Sequence, residues 1–276
     1  MTPGINDLAF QRYYGSYLYN VKAGLPPDGN RPGTCRICAG VVNTGFGTCR
    51  NCEVVLDITT RNHQPFPLDH LAFLTYAVEG PHTFTQPSED SGESALDRKG
   101  RQAYLVLKGY KAENNYNPWL HPAEIMTRWF IGKWHPRGFD ISDPRYLWAT
   151  VPSVRSGRLG EHPLHQMITA ILGADREVGI ASTVRYGPRQ FDPTTFLSDT
   201  IPRGNPVLLI DDSWATGYNA LSVAAALKKG GTERVYAMVL GRLLNPSKWA
   251  PAARFIEHGG LDRPFDVNQS PWIETL

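Results

Sequence analysis

The sequence predicts an α/β protein, an open parallel sheet flanked by helices with a small four-cysteine module ahead of it. Three observations carry this. Short apolar runs at residues 146–151, 207–210 and 235–240 suit parallel strands buried on both faces. Segments of helical period separate these runs. All four cysteines fall in one place, as Cys35-x2-Cys38 and, ten residues on, Cys49-x2-Cys52. At 276 residues and 41% hydrophobic content, the chain fits one large domain or one domain plus a small module. A net charge of +2 demands neither nucleic acid nor an acidic membrane as partner. No stretch is apolar and long enough to span a bilayer, and residues 1–7 do not read as a signal peptide, so a cytoplasmic protein without a membrane partner is expected.

Taken in order, residues 5–21 place Leu8, Phe10, Tyr13, Tyr14, Tyr17, Leu18 and Val21 at the spacing of a short amphipathic helix. Pro26, Pro27, Asp28, Gly29 and Asn30 then break the chain. The cysteine pairs have metal-knuckle spacing, and no cysteine is left for a disulfide elsewhere. Four thiolates at about 2.3 Å from one ion close a tetrahedral site, so Cys35, Cys38, Cys49 and Cys52 are expected to hold a structural Zn2+. Iron is the chemical alternative. Val54, Val55 and Leu56 read as a strand of this module, and residues 64–67 as the linker out of it. Residues 71–78 are apolar, residues 95–111 are of helical period, and residues 122–134 form a helix with Ile125, Met126, Trp129, Phe130 and Ile131 as its buried stripe. Strand 146–151 runs into the small, basic loop 152–158, and a helix starts near Pro163. Residues 178–184 are read as the third strand, and residues 185–191 as an aromatic and basic loop. Gly241 and Arg242 close strand 235–240. Residues 251–258 form a short helix, and residues 264–276 are extended and cap the site or the sheet edge. The eight histidines form no cluster with metal-ligand spacing.

The most informative stretch runs from Val207 to Asn219. Four apolar residues precede Asp211 and Asp212, where the strand is expected to end. A small-residue turn follows, then a helix whose apolar face is supplied by Ala220, Leu221, Val223, Ala224, Ala225, Ala226 and Leu227, stopped by Gly230 and Gly231. Ligands of open α/β sheets bind beyond the carboxyl ends of strands, and free N–H groups at a helix start face a phosphate. A carboxylate repels a phosphate, so Asp211 and Asp212 suit sugar hydroxyls or a metal ion instead. A ligand with a phosphate, free hydroxyls and Mg2+ is a sugar phosphate. The stretch resembles the phosphoribosyl-diphosphate (PRPP) signature of type I phosphoribosyltransferases. The resemblance implies that Asp211 and Asp212 hold the ribose 2′ and 3′ hydroxyls. It implies too that Ser213, Ala215, Thr216, Gly217, Tyr218 and Asn219 surround the 5′-phosphate. Ala215 and Asn219 stand where the signature usually has Thr. The loop after strand 146–151 resembles the family's pyrophosphate loop. That puts Val151, Pro152, Ser153, Val154 and Arg155 at the leaving diphosphate, with Arg155 the cation and Arg158 a second. Arg185 and Arg189 could serve a closing segment.

Joined to the cysteine module, these motifs resemble the ComF-like group of phosphoribosyltransferase-like proteins, which is associated with DNA uptake. The order of knuckles, residues 107–110, the Pro152 loop and the Asp211 motif matches that group from about Gly33 to Arg242. The group's Arg-Gly-Phe-Asn-Gln stretch is absent, and residues 160–166 take its place. The division implied is residues 1–64, an N-terminal helix and zinc ribbon, and residues 65–276, a phosphoribosyltransferase-like domain. The activity implied is displacement of diphosphate from ribose C1, with Mg2+ bound alongside PRPP and with Asp211, Asp212 and Arg155 as the catalytic residues. Two other classes stay open. One is a module that senses PRPP or a nucleotide without turnover. The other is a nucleic-acid-handling protein whose ribbon, through Arg36 and Arg50, touches phosphates. The acceptor and any homodimer stay open as well.

Overall fold

Two-faced burial explains why the strands read as unbroken apolar runs. In a computed structural model, residues 6–43, 45–80, 100–112, 117–136, 143–153, 162–184, 190–198, 203–263 and 265–273 are described. Helix α1 spans Asp7–Tyr14, and the short strands β1 (Gly33–Thr34) and β2 (Val41–Val42) pair antiparallel. Helix α2 (Arg50–Arg61) and strand β3 (His70–Val78) follow, then helices α3 (Arg101–Gly109) and α4 (Leu120–Trp134). Strand β4 (Leu147–Thr150), helix α5 (Pro163–Leu172), β5 (Ile180–Ser182), β6 (Phe196–Ser198) and β7 (Val207–Trp214) come next. Helix α6 (Tyr218–Gly230), β8 (Val235–Leu244), α7 (Ala250–Glu257) and β9 (Trp272–Ile273) complete the described elements.

The main sheet has five strands in the order β4-β7-β8-β3-β9. Its first four are mutually parallel, and β9 is an antiparallel edge strand. Because side chains alternate across a strand, Leu71, Phe73, Val207, Leu209, Val235, Ala237 and Val239 pack on one face with α6, Phe255 of α7 and the cysteine module. Ala72, Leu74, Leu208, Ile210, Tyr236, Met238 and Leu240 pack on the other with α1, α3, α4 and α5. Helix α1 does not pack with the cysteine cluster. Phe10 stacks on Trp129 of α4, with ring centroids 3.9 Å apart.

The structure bears out a mostly parallel α/β sheet flanked by helices, and it corrects four local expectations. Val54, Val55 and Leu56 lie in helix α2, where a one-sided apolar stripe buries Cys52, Val55 and Thr59, rather than in a strand. Residues 180–182 pair antiparallel with β6 in a separate two-stranded sheet, so they are not a third strand of the main sheet. Strand β7 does not end before the acidic pair. It continues through Trp214, because β8 runs alongside it as far as Arg242. Strand β8 likewise continues to Leu244 with β3 beside it, so Gly241 and Arg242 are interior to it. Strand β9 covers the β3 edge, in keeping with the extended, edge-capping reading of the C-terminal segment. No helix among the described residues is long and apolar enough to cross a membrane.

Candidate functional site

A cavity of about 220 Å³ opens at the carboxyl ends of β4 and β7. It is lined by Asp211, Asp212, Ser213, Ala215, Thr216, Gly217, Tyr218 and Asn219 from the acidic stretch, and by Val151, Pro152 and Ser153 from the end of β4. Lys111, His162, Leu164, Ala220 and Leu243 complete the lining. Segments that the sequence singled out separately therefore meet at one place. Val154, Arg155 and Arg158 lie outside the described residues, as do Arg185 and Arg189.

The two carboxylates have unlike surroundings. Because β7 continues through them, they alternate across the sheet rather than projecting side by side from a strand end. Asp211 accepts the Asp212 backbone N–H at 2.8 Å. Burial, and then the neighbouring Asp212 charge, push its carboxyl up to about 8. Asp212 is 4% exposed. It accepts hydrogen bonds from Tyr110 Oη at 2.5 Å and Ser213 Oγ at 2.7 Å, and it pairs with Lys111 Nζ at 2.6 Å. Burial alone would raise its carboxyl, but the Lys111 ammonium and these hydrogen bonds overcome that and hold it below the usual carboxylate range. His162 caps α5, its Nδ1 accepting the Leu164 N–H at 3.2 Å. A neutral ring therefore carries its proton on Nε2, which lies 3.8 Å from Asp212 Oδ2.

The turn between β7 and α6 is held from below by Trp214. Gly217 adopts φ +80° as the N-cap of α6, and a Cβ there would lie 2.1 Å from the Trp214 ring. Only glycine meets both demands. Thr216 Oγ1 accepts the Tyr218 N–H at 3.5 Å, which leaves α6 with backbone donors at its start. Tyr218 Oη reaches over to donate to Asn51 Oδ1 of α2 at 3.0 Å.

The cysteines lie across from this turn. The ligand atoms of Cys35, Cys38, Cys49 and Cys52 all lie within 4.8 Å of one another, and none is in a disulfide. Cys38 and Cys49 Sγ are 3.5 Å apart. Tetrahedral zinc with Zn–S bonds of about 2.3 Å needs Sγ separations of roughly 3.8 Å, so the cluster could hold such a metal. With four thiolates the site would be closed, which suits a structural ion. Arg36 and Arg50, at the two knuckles, are exposed.

Arg242 links the two places. Its Nε donates to Cys38 O at 2.7 Å, and its Nη1 donates to Trp214 O at 2.8 Å, Ala215 O at 3.2 Å and Leu243 O at 2.9 Å. Arg242 is 5% exposed and lies within β8 rather than at its end, because β3 pairs past it as far as Leu244. A second, larger cleft of about 1160 Å³ adjoins the first, sharing Lys111, Ser153, Ser213, Ala215, Thr216 and Leu243 with it. Its walls come from residues 41–53, from α3 and from residues 242–249.

Tyr110, Lys111, His162 and Arg242 were not assigned these roles from sequence. Tyr110 and Lys111 lie just beyond α3, a hundred residues from Asp212, and nothing in a helix end announces where it will dock. No family model matches the chain, and no curated protein matches it.

Proposed function

We propose that the protein binds PRPP, or a related ribose phosphate, with Mg2+ and transfers the phosphoribosyl group to an acceptor. The observation that supports this reading best is one cavity of about 220 Å³ that gathers residues 211–213, residues 215–219 and the end of β4. In this reading the start of α6 and the loop 215–219 cradle the 5′-phosphate with backbone N–H groups. Asp211 and Asp212 face the ribose and lie near the positive charge that develops at C1. They are also the carboxylates that would hold a Mg2+ bound with the diphosphate, whose charge the ion would neutralise. Val151, Pro152 and Ser153 lead into the loop that meets the leaving group. Lys111 lines both cavities and can exchange Asp212 for a ligand oxyanion. The acceptor enters from the larger cleft, and its lone pair forms the bond to C1. The C1–O bond breaks, and its electron pair leaves on diphosphate. The acceptor's proton goes to solvent.

A second reading, binding without turnover, is favoured by one observation: Asp212 is already satisfied by Tyr110, Lys111 and Ser213. Diphosphate release separates the two. The protein is incubated with PRPP, Mg2+ and a panel of nitrogen bases and amines, and diphosphate is quantified. Acceptor-dependent release that is lost in Asp211→Asn/Asp212→Asn is expected for a transferase. Saturable PRPP binding with no release from any acceptor would assign the site to sensing.

A further inference from the structure

Arg242 brings a full positive charge into the interior without a carboxylate. No Asp or Glu among the described residues pairs with it. Its partners are four carbonyl oxygens and, at 3.6 Å from Nη2, the sulfur of Cys38. A buried cation that meets only neutral acceptors is strongly disfavoured. Four cysteine thiolates around one divalent ion would carry two net negative charges and supply the missing counter-charge. The fit around the guanidinium is close: a Cβ on Gly40 would lie 2.0 Å from Nη2. The same Nη1 that donates to Leu243 O also holds the carbonyls of Trp214 and Ala215, which open the 215–219 loop.

We infer that Arg242 is a positioning residue that couples the four-cysteine metal centre to the 215–219 loop. Metal loading sets the loop's affinity for an anion, and an anion in the loop is felt at the metal. Such coupling is reciprocal by thermodynamic necessity. The inference rests on the reading of that loop as a phosphate cradle, and its test separates the two.

The probe is the 276-residue chain loaded with Co2+, whose thiolate-to-cobalt absorption band reports the electron density on sulfur. Hydrogen bonds around a metal centre tune that density. In the wild type, titration with Mg2+ and PRPP is expected to move the band saturably, with the midpoint found by calorimetry. Arg242→Lys keeps the charge but loses the fork. It is expected to retain metal, to bind PRPP roughly tenfold more weakly, and to leave the band unmoved. In competition with a chromophoric chelator, Arg242→Gln is expected to loosen cobalt by roughly 10–100-fold. Arg234→Gln, an exposed control, is expected not to. Calorimetric binding with an unmoved wild-type band overturns the coupling, as does a full band response in Arg242→Lys. If PRPP does not bind at all, the phosphoribosyl reading fails by itself, and the chelator competition decides the charge link. Loosening confined to Arg242 then upholds the link, and equal cobalt affinity overturns it. Should Arg242→Gln not fold, Arg242→Met, which also removes the charge, replaces it in that competition.

Discussion

The cysteine cluster draws its ligands from residues 35–52, whereas the acidic cavity gathers Lys111, residues 151–153, His162, residues 211–213 and residues 215–220. Tyr110 and the carboxylate it donates to are 102 residues apart. The first region depends on two short cysteine pairs, one in a turn and one at the start of α2, so its chemistry survives in the spacing of four residues. The second depends on how a sheet and three helices pack, so its chemistry becomes complete only in the fold. Where the two regions meet, a single buried arginine serves both. Local sites are thus expected to fail all at once when one ligand goes, and assembled sites to fail in degrees.

The largest effect sharpens this contrast from the local side. Cys52→Ser, or stripping the metal with a strong chelator, is expected to bring metal content from one ion per chain to none. It should also unfold residues 33–61, because metal binding supplies much of a small module's folding free energy. Elemental analysis with near-ultraviolet circular dichroism checks this. A module that stays folded without metal would break the contrast.

On the assembled side, Gly217→Ala sets a methyl group against Trp214 at a left-handed backbone position. A cost of about 1–3 kcal/mol is expected in denaturant unfolding, with phosphate-ligand affinity reduced at least tenfold, roughly 1.4 kcal/mol. Tyr110→Phe removes a hydrogen bond to a buried charged carboxylate and is expected to cost about 1.5–3 kcal/mol, with metal content unchanged. Loss of metal in Tyr110→Phe would show that the two regions are not built independently.

A further expectation concerns pH. With Asp211 raised to about 8 by burial and by Asp212, the folded protein binds a proton that the unfolded chain releases near pH 4. Stability from this group therefore falls as pH rises from about 4 to about 8. Asp212, held low, contributes in the opposite sense, and its stabilisation is lost only as pH falls below the usual carboxylate range. Asp211→Asn is accordingly expected to melt above the wild type at pH 8, with the gap closing towards pH 4. A gap independent of pH would show that Asp211 is not raised.

Much of the frame was legible in the sequence. Unbroken apolar runs marked the strands because both faces of β7 and β8 are covered. Gly217, Gly231 and the helix between them followed from backbone chemistry alone. The strand ends were misread because Asp211, Asp212 and Arg242 look like polar punctuation, yet neighbouring strands pair past them. Val54 and Val55 are β-branched, which suggests a strand, but the stripe through Cys52, Val55 and Thr59 decides for a helix. The partners of Asp212 left no local trace. Lys111 and His162 each close or cap a helix whose direction is set by packing against the sheet.

The most direct measurement is calorimetric titration of PRPP with Mg2+ into the metal-loaded wild type and into Asp211→Asn/Asp212→Asn. Saturable binding with one site per chain, lost in the double variant, is expected. No binding to a wild type shown to carry its metal would contradict the phosphoribosyl reading of the cavity.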